Sequence, residues 1–151
     1  LNEQGFTITF NTGFKRIKKG TTVSRDIDIE ASSKDNQKIY FEVYTPINET
    51  DINGFFDLPS IGDKFEQKIK DKEFDKFDGI VTGELNGLII LAVNYTYHDN
   101  SNIFLSTYYS DFWTRLENMI HKEIDGILLY NHDIATDDKL QIEKIKMKNS
   151  R

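Results

Sequence analysis

The chain has 151 residues, 38% hydrophobic and 13% aromatic, enough for one domain with a packed core and too few for two. It has no cysteine, which excludes a disulfide framework and a thiolate zinc site, and no stretch reads as a membrane span or a signal peptide, so a cytoplasmic setting with no membrane attachment is the expectation. A net charge of −6 excludes a surface that is basic all over, as broad nucleic-acid wrapping requires.

Leu1-Asn2-Glu3-Gln4-Gly5-Phe6 reads as the last turn of a helix with Gly5 as its left-handed cap. The expectation is a piece of a longer protein, lacking most of a first helix and an upstream domain of the same chain. Phe6–Phe10 alternates as a strand, and residues 11–22, with Asn11, Gly13 and Gly20, read as a connection. Residues 11–25 carry Lys15, Arg16, Lys18, Lys19 and Arg25 and no acid. Residues 139–151 carry Lys139, Lys144, Lys146, Lys148 and Arg151 against Glu143. Such runs either track a phosphate backbone or are ordinary solvated segments.

Asp26-Ile27-Asp28-Ile29-Glu30 and Ile39-Tyr40-Phe41-Glu42-Val43-Tyr44 both alternate strictly, the mark of half-buried strands. The turn formers of 31–38 predict an antiparallel hairpin with Val23, Ile27, Ile29, Ile39, Phe41 and Val43 on the buried side. Asp26, Asp28, Glu30 and Glu42 then share the other side, with Asp26 or Asp28 near Glu42. Acids so placed are either a solvated face or a site for a hard divalent cation.

Pro46 ends the second strand, and residues 47–59 read as a loop with Phe55 and Phe56. Ser60 caps a helix to about Phe77, with Ile61, Phe65 and Ile69 as its buried stripe and Lys68 and Lys72 on a face beside it. The continuous apolar run of Gly87–Asn94 predicts a central strand covered on both faces, parallel to a neighbour. His98 follows it as a candidate site or loop residue. Phe112, Trp113, Leu116, Met119 and Ile120 predict a core-packing helix over 111–122, Ile127–Tyr130 a short buried strand, and Leu140 to Met147 an edge strand.

An aspartate on one strand, a turn, and Glu-x-Lys on a hydrophobic second strand is the grammar of the PD-(D/E)xK nuclease superfamily. This hairpin resembles it. Arg25-Asp26 stands where the family has Pro-Asp, and Glu42-Val43-Tyr44 stands where it has Glu-x-Lys. The order helix, strand, strand, strand, helix, strand extends the resemblance over roughly residues 1–94. It implies an α/β fold of the restriction-endonuclease-like kind over a single domain of residues 1–151: a three-layer core with a mixed β-sheet flanked by helices, the first helix truncated. It also implies magnesium or manganese held by Asp26, Glu42 and the Val43 carbonyl, with Asp28 or Glu30 as the substitute if the register sits two residues away. The activity implied is endonuclease hydrolysis of DNA.

Tyr44 cannot supply the cation of the family's lysine. In some branches that lysine sits on the following helix, which makes Lys68 or Lys72 the catalytic partner of Asp26 and Glu42. DNA, a second copy in a homodimer and the upstream domain are the partners considered. The alternative is a catalytically inactive domain on the same scaffold, binding nucleic acid or a protein. Tyr44 and the acidic net charge favour that one. A binding domain unrelated to nucleases, with merely exposed acids, is the third reading.

Overall fold

A computed structural model describes residues 5–44, 67, 75–94, 114, 123–131 and 141–148. They form one mixed sheet whose spatial order is the chain order: β1 (Thr7–Lys18), β2 (Thr21–Ser32), β3 (Lys38–Tyr44), β4 (Leu88–Asn94), β5 (Gly126–Asn131) and β6 (Gln141–Met147). The first three strands run antiparallel in succession, β3, β4 and β5 are parallel, and β6 closes the edge antiparallel to β5. The helical residues described are α1 (Asp75–Phe77), Gln67 and Thr114, so the described part is mainly sheet. The loop of 47–59 with Phe55 and Phe56, Lys68, Lys72 and His98 lie outside the described residues.

The expected connection at 11–22 is instead strand. β1 runs on to Lys18, turns through Lys19 and Gly20, and returns as β2. Both turn residues have positive φ, 50° and 78°, as the two-residue hairpin turn that matches strand twist requires. The alternation is present, but it is carried by Phe14 and Arg16, both buried. An arginine on the inner side of a ribbon reads as surface charge, which hides the strand.

Between the pairs Phe10–Ile29 and Thr12–Ile27 the ribbon is distorted. Asn11 takes a φ of 54°, a left-handed conformation that asparagine tolerates better than most residues. Opposite it, at Asp28, the strict alternation expected of β2 breaks: Ile27 and Glu30, three apart, are both buried. The expected buried face of β3 is also revised. Tyr40 and Glu42 are its buried residues, while Ile39, Phe41 and Val43 are half-buried. The reason is position: β3 lies inside the sheet, between β2 and β4, where neither face is simply solvent.

β4 is the central strand, with Ile89 through Val93 buried on both faces. Asp125 anchors its start to β5. The Asp125 amide donates to the Ile89 carbonyl, and the Ile89 amide donates to the Asp125 carboxylate, both at 2.8 Å. One core gathers Phe14, Ile27, Tyr40, Phe77, Leu91, Ile127 and Leu129, so the hairpin, the central strands and α1 share it. At the β6 edge a bulge leaves Glu143 unpaired between the pairs Leu129–Lys144 and Tyr130–Ile142. Ile142, Ile145 and Met147 therefore pair with alternate residues of β5 and lie on one face, all exposed.

Glu30 is buried where β2 meets β3. The Lys38 ammonium reaches its carboxylate at 2.7 Å, and the Ser32 hydroxyl donates to it at 2.9 Å. Burial alone pushes this carboxyl up; the bonds from Lys38 and Ser32 outweigh it and hold the group below the usual carboxylate range. The same bond pushes Lys38 up. A lowered folded value means that the Glu30 contribution is complete above the unfolded glutamate pKa, about 4.3, and is lost as pH falls through the folded value. The Lys38 contribution is complete below the unfolded lysine pKa, about 10.4, and is lost as pH rises through its raised value. Lys38→Met should therefore cost about 1 kcal/mol at neutral pH and flatten the acid limb of stability below about pH 4.5. Urea melts across a pH series check this, and an acid limb as steep as that of the parent protein rejects it.

Candidate functional site

The register of β2 and β3 decides which acids meet. Glu30 pairs with Tyr40 and Ile29 with Phe41, where the regular ladder stops. One step on, the chain substitutes a side chain for backbone: the Val43 amide donates to Asp28 Oδ2 at 2.7 Å. Asp28 is half-buried, and its carboxylate sits against the Glu42–Val43 peptide. Asp28, not Asp26, is thus the acid brought to β3. Asp26 is exposed and pairs with Gly13 on β1, where its Oδ1 lies 3.6 Å from the position a Cβ at Gly13 would take. Glu30, the other substitute, is engaged by Lys38 and Ser32.

Glu42 is buried, on the same face of β3 as Tyr40 and Tyr44. Its Oε1 receives a hydrogen bond from Lys76 Nζ at 2.5 Å. The side chains are only 6% and 18% exposed, so this is a buried ion pair, in which each charge offsets the cost of burying the other. Tyr44, at the place of the family's lysine, is half-buried and packs against the core cluster. An ammonium aimed into that apolar surface would be strongly disfavoured, whereas tyrosine suits it. The cation next to Glu42 comes instead from α1.

Among the described residues, the lysine joined to Glu42 is Lys76. It continues the spacing of Lys68 and Lys72 by one helical turn, and that fourfold recurrence is the signal that points to it. Lys68 and Lys72 lie outside the described residues.

Around Lys76 the chain is held by β1. Phe77 stacks on Phe14 with ring centres 5.9 Å apart and planes 9° from parallel. Asp75 meets Lys18 Nζ at 3.2 Å and Arg16 Nη2 at 3.6 Å. The Lys18 hydrogen bond, aided by the charge of Arg16, holds the Asp75 carboxyl below its usual range against the effect of burial. The following residues bridge to β1 through backbone: the Ile17 amide donates to the Gly79 carbonyl at 2.7 Å and the Val81 amide to the Lys15 carbonyl at 3.0 Å.

No protein-family model matches the chain, and no curated protein matches it. Among solved structures, the central domain of yeast acetyl-CoA carboxylase aligns with 89% of this chain and 19% of its own, at 15% sequence identity and a TM-score of 0.39. The chain thus spans about a fifth of that structure's length, and a likeness this slight carries no argument about fold or function.

Proposed function

We propose that this chain is a metal-dependent DNA endonuclease domain of the PD-(D/E)xK type, on a restriction-endonuclease-like three-layer core. Asp28 and Glu42 would be its acids and Lys76 its relocated lysine. The observation that carries the reading is a pair of contacts at neighbouring residues of β3, where the β2–β3 ladder stops: Asp28 accepts from the Val43 amide, and Glu42, the residue before it, meets Lys76. The strand order supports it, with three antiparallel strands and then a fourth parallel to the third.

Among the described residues no group of three or more His, Cys, Asp or Glu side chains gathers as a ready metal cage. Magnesium does not need one. It commonly takes one or two carboxylates, keeps several waters and shares the substrate's phosphate oxygens. Asp28, Glu42 and the Val43 carbonyl fit that habit, and they are the residues that would hold the ion. When bound, it supplies a water of lowered pKa and charge opposite the leaving oxygen. Lys76 pairs with Glu42 in a buried setting and would add positive charge where negative charge builds on phosphorus. Tyr44 supports packing and takes no part.

A second reading, a catalytically inactive domain on this scaffold that binds nucleic acid or a protein, is favoured by Tyr44 and by the net charge of −6. Cutting assays separate the two. Plasmid nicking with magnesium or manganese should fall about 100-fold or more in Asp28→Asn and in Glu42→Gln, and by less than about threefold in Asp26→Asn. Equal residual cutting by the parent and by Glu42→Gln means a contaminating nuclease. Salt-dependent DNA binding without cutting supports the inactive reading.

Two stability measurements accompany these assays. At a metal concentration of about 100 times Kd, mass action should add about 2.7 kcal/mol to unfolding, and Asp28→Ala should abolish the gain. An equal rise in melting temperature in both proteins rejects Asp28 as a ligand. Lys76→Met should cost about 2 kcal/mol by removing one charged hydrogen-bond partner of a buried carboxylate. The double variant Glu42→Gln with Lys76→Met should recover most of that stability and none of the cutting. Failure of the double variant to regain stability removes the buried pair as the cause.

A further inference from the structure

Lys76 is useful only if something holds it on Glu42, and the contacts on either side of it come from β1. Phe14 stacks on Phe77, Arg16 and Lys18 bind Asp75, and the backbone of Lys15 and Ile17 takes up Val81 and Gly79. Gly79 makes the close approach. Its φ is +74°, and a Cβ there would stand 2.4 Å from the Ile17 carbonyl oxygen.

Arg16 is the unusual member. It is 2% exposed, and its buried Nε and Nη1 find no hydrogen-bond partner among the described residues. Idle buried donors destabilise a fold, so packing does not account for a guanidinium here. Its ion pair is with Asp75, the residue before Lys76.

We propose that β1 is the positioning element of this site, and that Arg16 is a positioning residue that sets Lys76 against Glu42 through Asp75 and the Gly79–Val81 bridge. Its bearing on catalysis rests on reading Lys76 as the site's cation; the placement of Lys76 can be tested without it.

The test compares Gly79→Ala with Gly83→Ala. Both put a side chain on left-handed backbone, at φ +74° and +90°, but nothing lies within 4 Å of a Cβ at position 83. The first readout is the side-chain carboxyl carbon resonance of Glu42, assigned with Glu42→Gln and calibrated by its position in Lys76→Met. The second is manganese-dependent plasmid cutting. Gly79→Ala should carry the resonance most of the way to its Lys76→Met position and slow cutting about 10-fold or more, while Gly83→Ala keeps cutting within about twofold and leaves the resonance in place.

Asp75→Asn alters an exposed carboxylate and covers the case in which Gly79→Ala does not fold. It should move the resonance in the same direction, and Asp75→Glu should restore it. Arg16→Met should do likewise, with partial rescue by Arg16→Lys. A Glu42 resonance unmoved in Asp75→Asn and in every folded variant of Gly79 and Arg16 overturns the positioning role, whatever the cutting shows. Cutting indifferent to Lys76→Met overturns the nuclease reading instead and leaves the resonance to decide the role of β1.

Discussion

A carboxylate inside a sheet needs a partner before the sheet can close around it. Glu42 is such a carboxylate and Lys76 is a partner it meets, and much of the described local architecture follows from bringing them together. α1 has to lie over β3, the residues after α1 have to run beside β1, and the first hairpin has to be long enough to meet them. The apolar side of the same arrangement is the stack of Phe14 on Phe77, which places hydrophobic burial and charge neutralisation within one residue of each other.

The distortion of the first ribbon belongs to the same picture. An undisturbed ladder would pair the Val43 amide with backbone. Asn11 in its left-handed conformation and the broken alternation at Asp28 turn the strands so that a carboxylate takes the backbone's role. The hydrogen bond is kept, at 2.7 Å, and its acceptor becomes a side-chain carboxyl oxygen instead of a backbone carbonyl. The proposed chemistry and the local folding solution thus use the same oxygen atoms.

Much of the sheet was legible because its signals are local. The apolar run of 88–94 marks a central strand, and the acidic hairpin and the β6 edge follow from alternation and turn formers. What was hidden depended on partners distant in the chain. Nothing near Arg16 announces that Asp75 will allow a guanidinium to be buried, so the sequence there has the look of a basic connection and not of a strand. Asp26 and Asp28 are indistinguishable by period; only the kink opposite Asn11 chooses between them. Lys76 was visible as a member of a lysine series, but the series alone does not say which turn of a helix faces Glu42.

The bulge at Glu143 has a meaning beyond the site. β6 is a rim of the sheet with exposed isoleucines, the kind of rim on which a foreign strand can grow. An incoming ribbon that matches Ile145 and Met147 falls one residue out of step at Ile142, because the spare residue interrupts the regular spacing of backbone amides and carbonyls along β6. An irregularity of this kind works against the regular edge-to-edge pairing on which extended strand stacking depends.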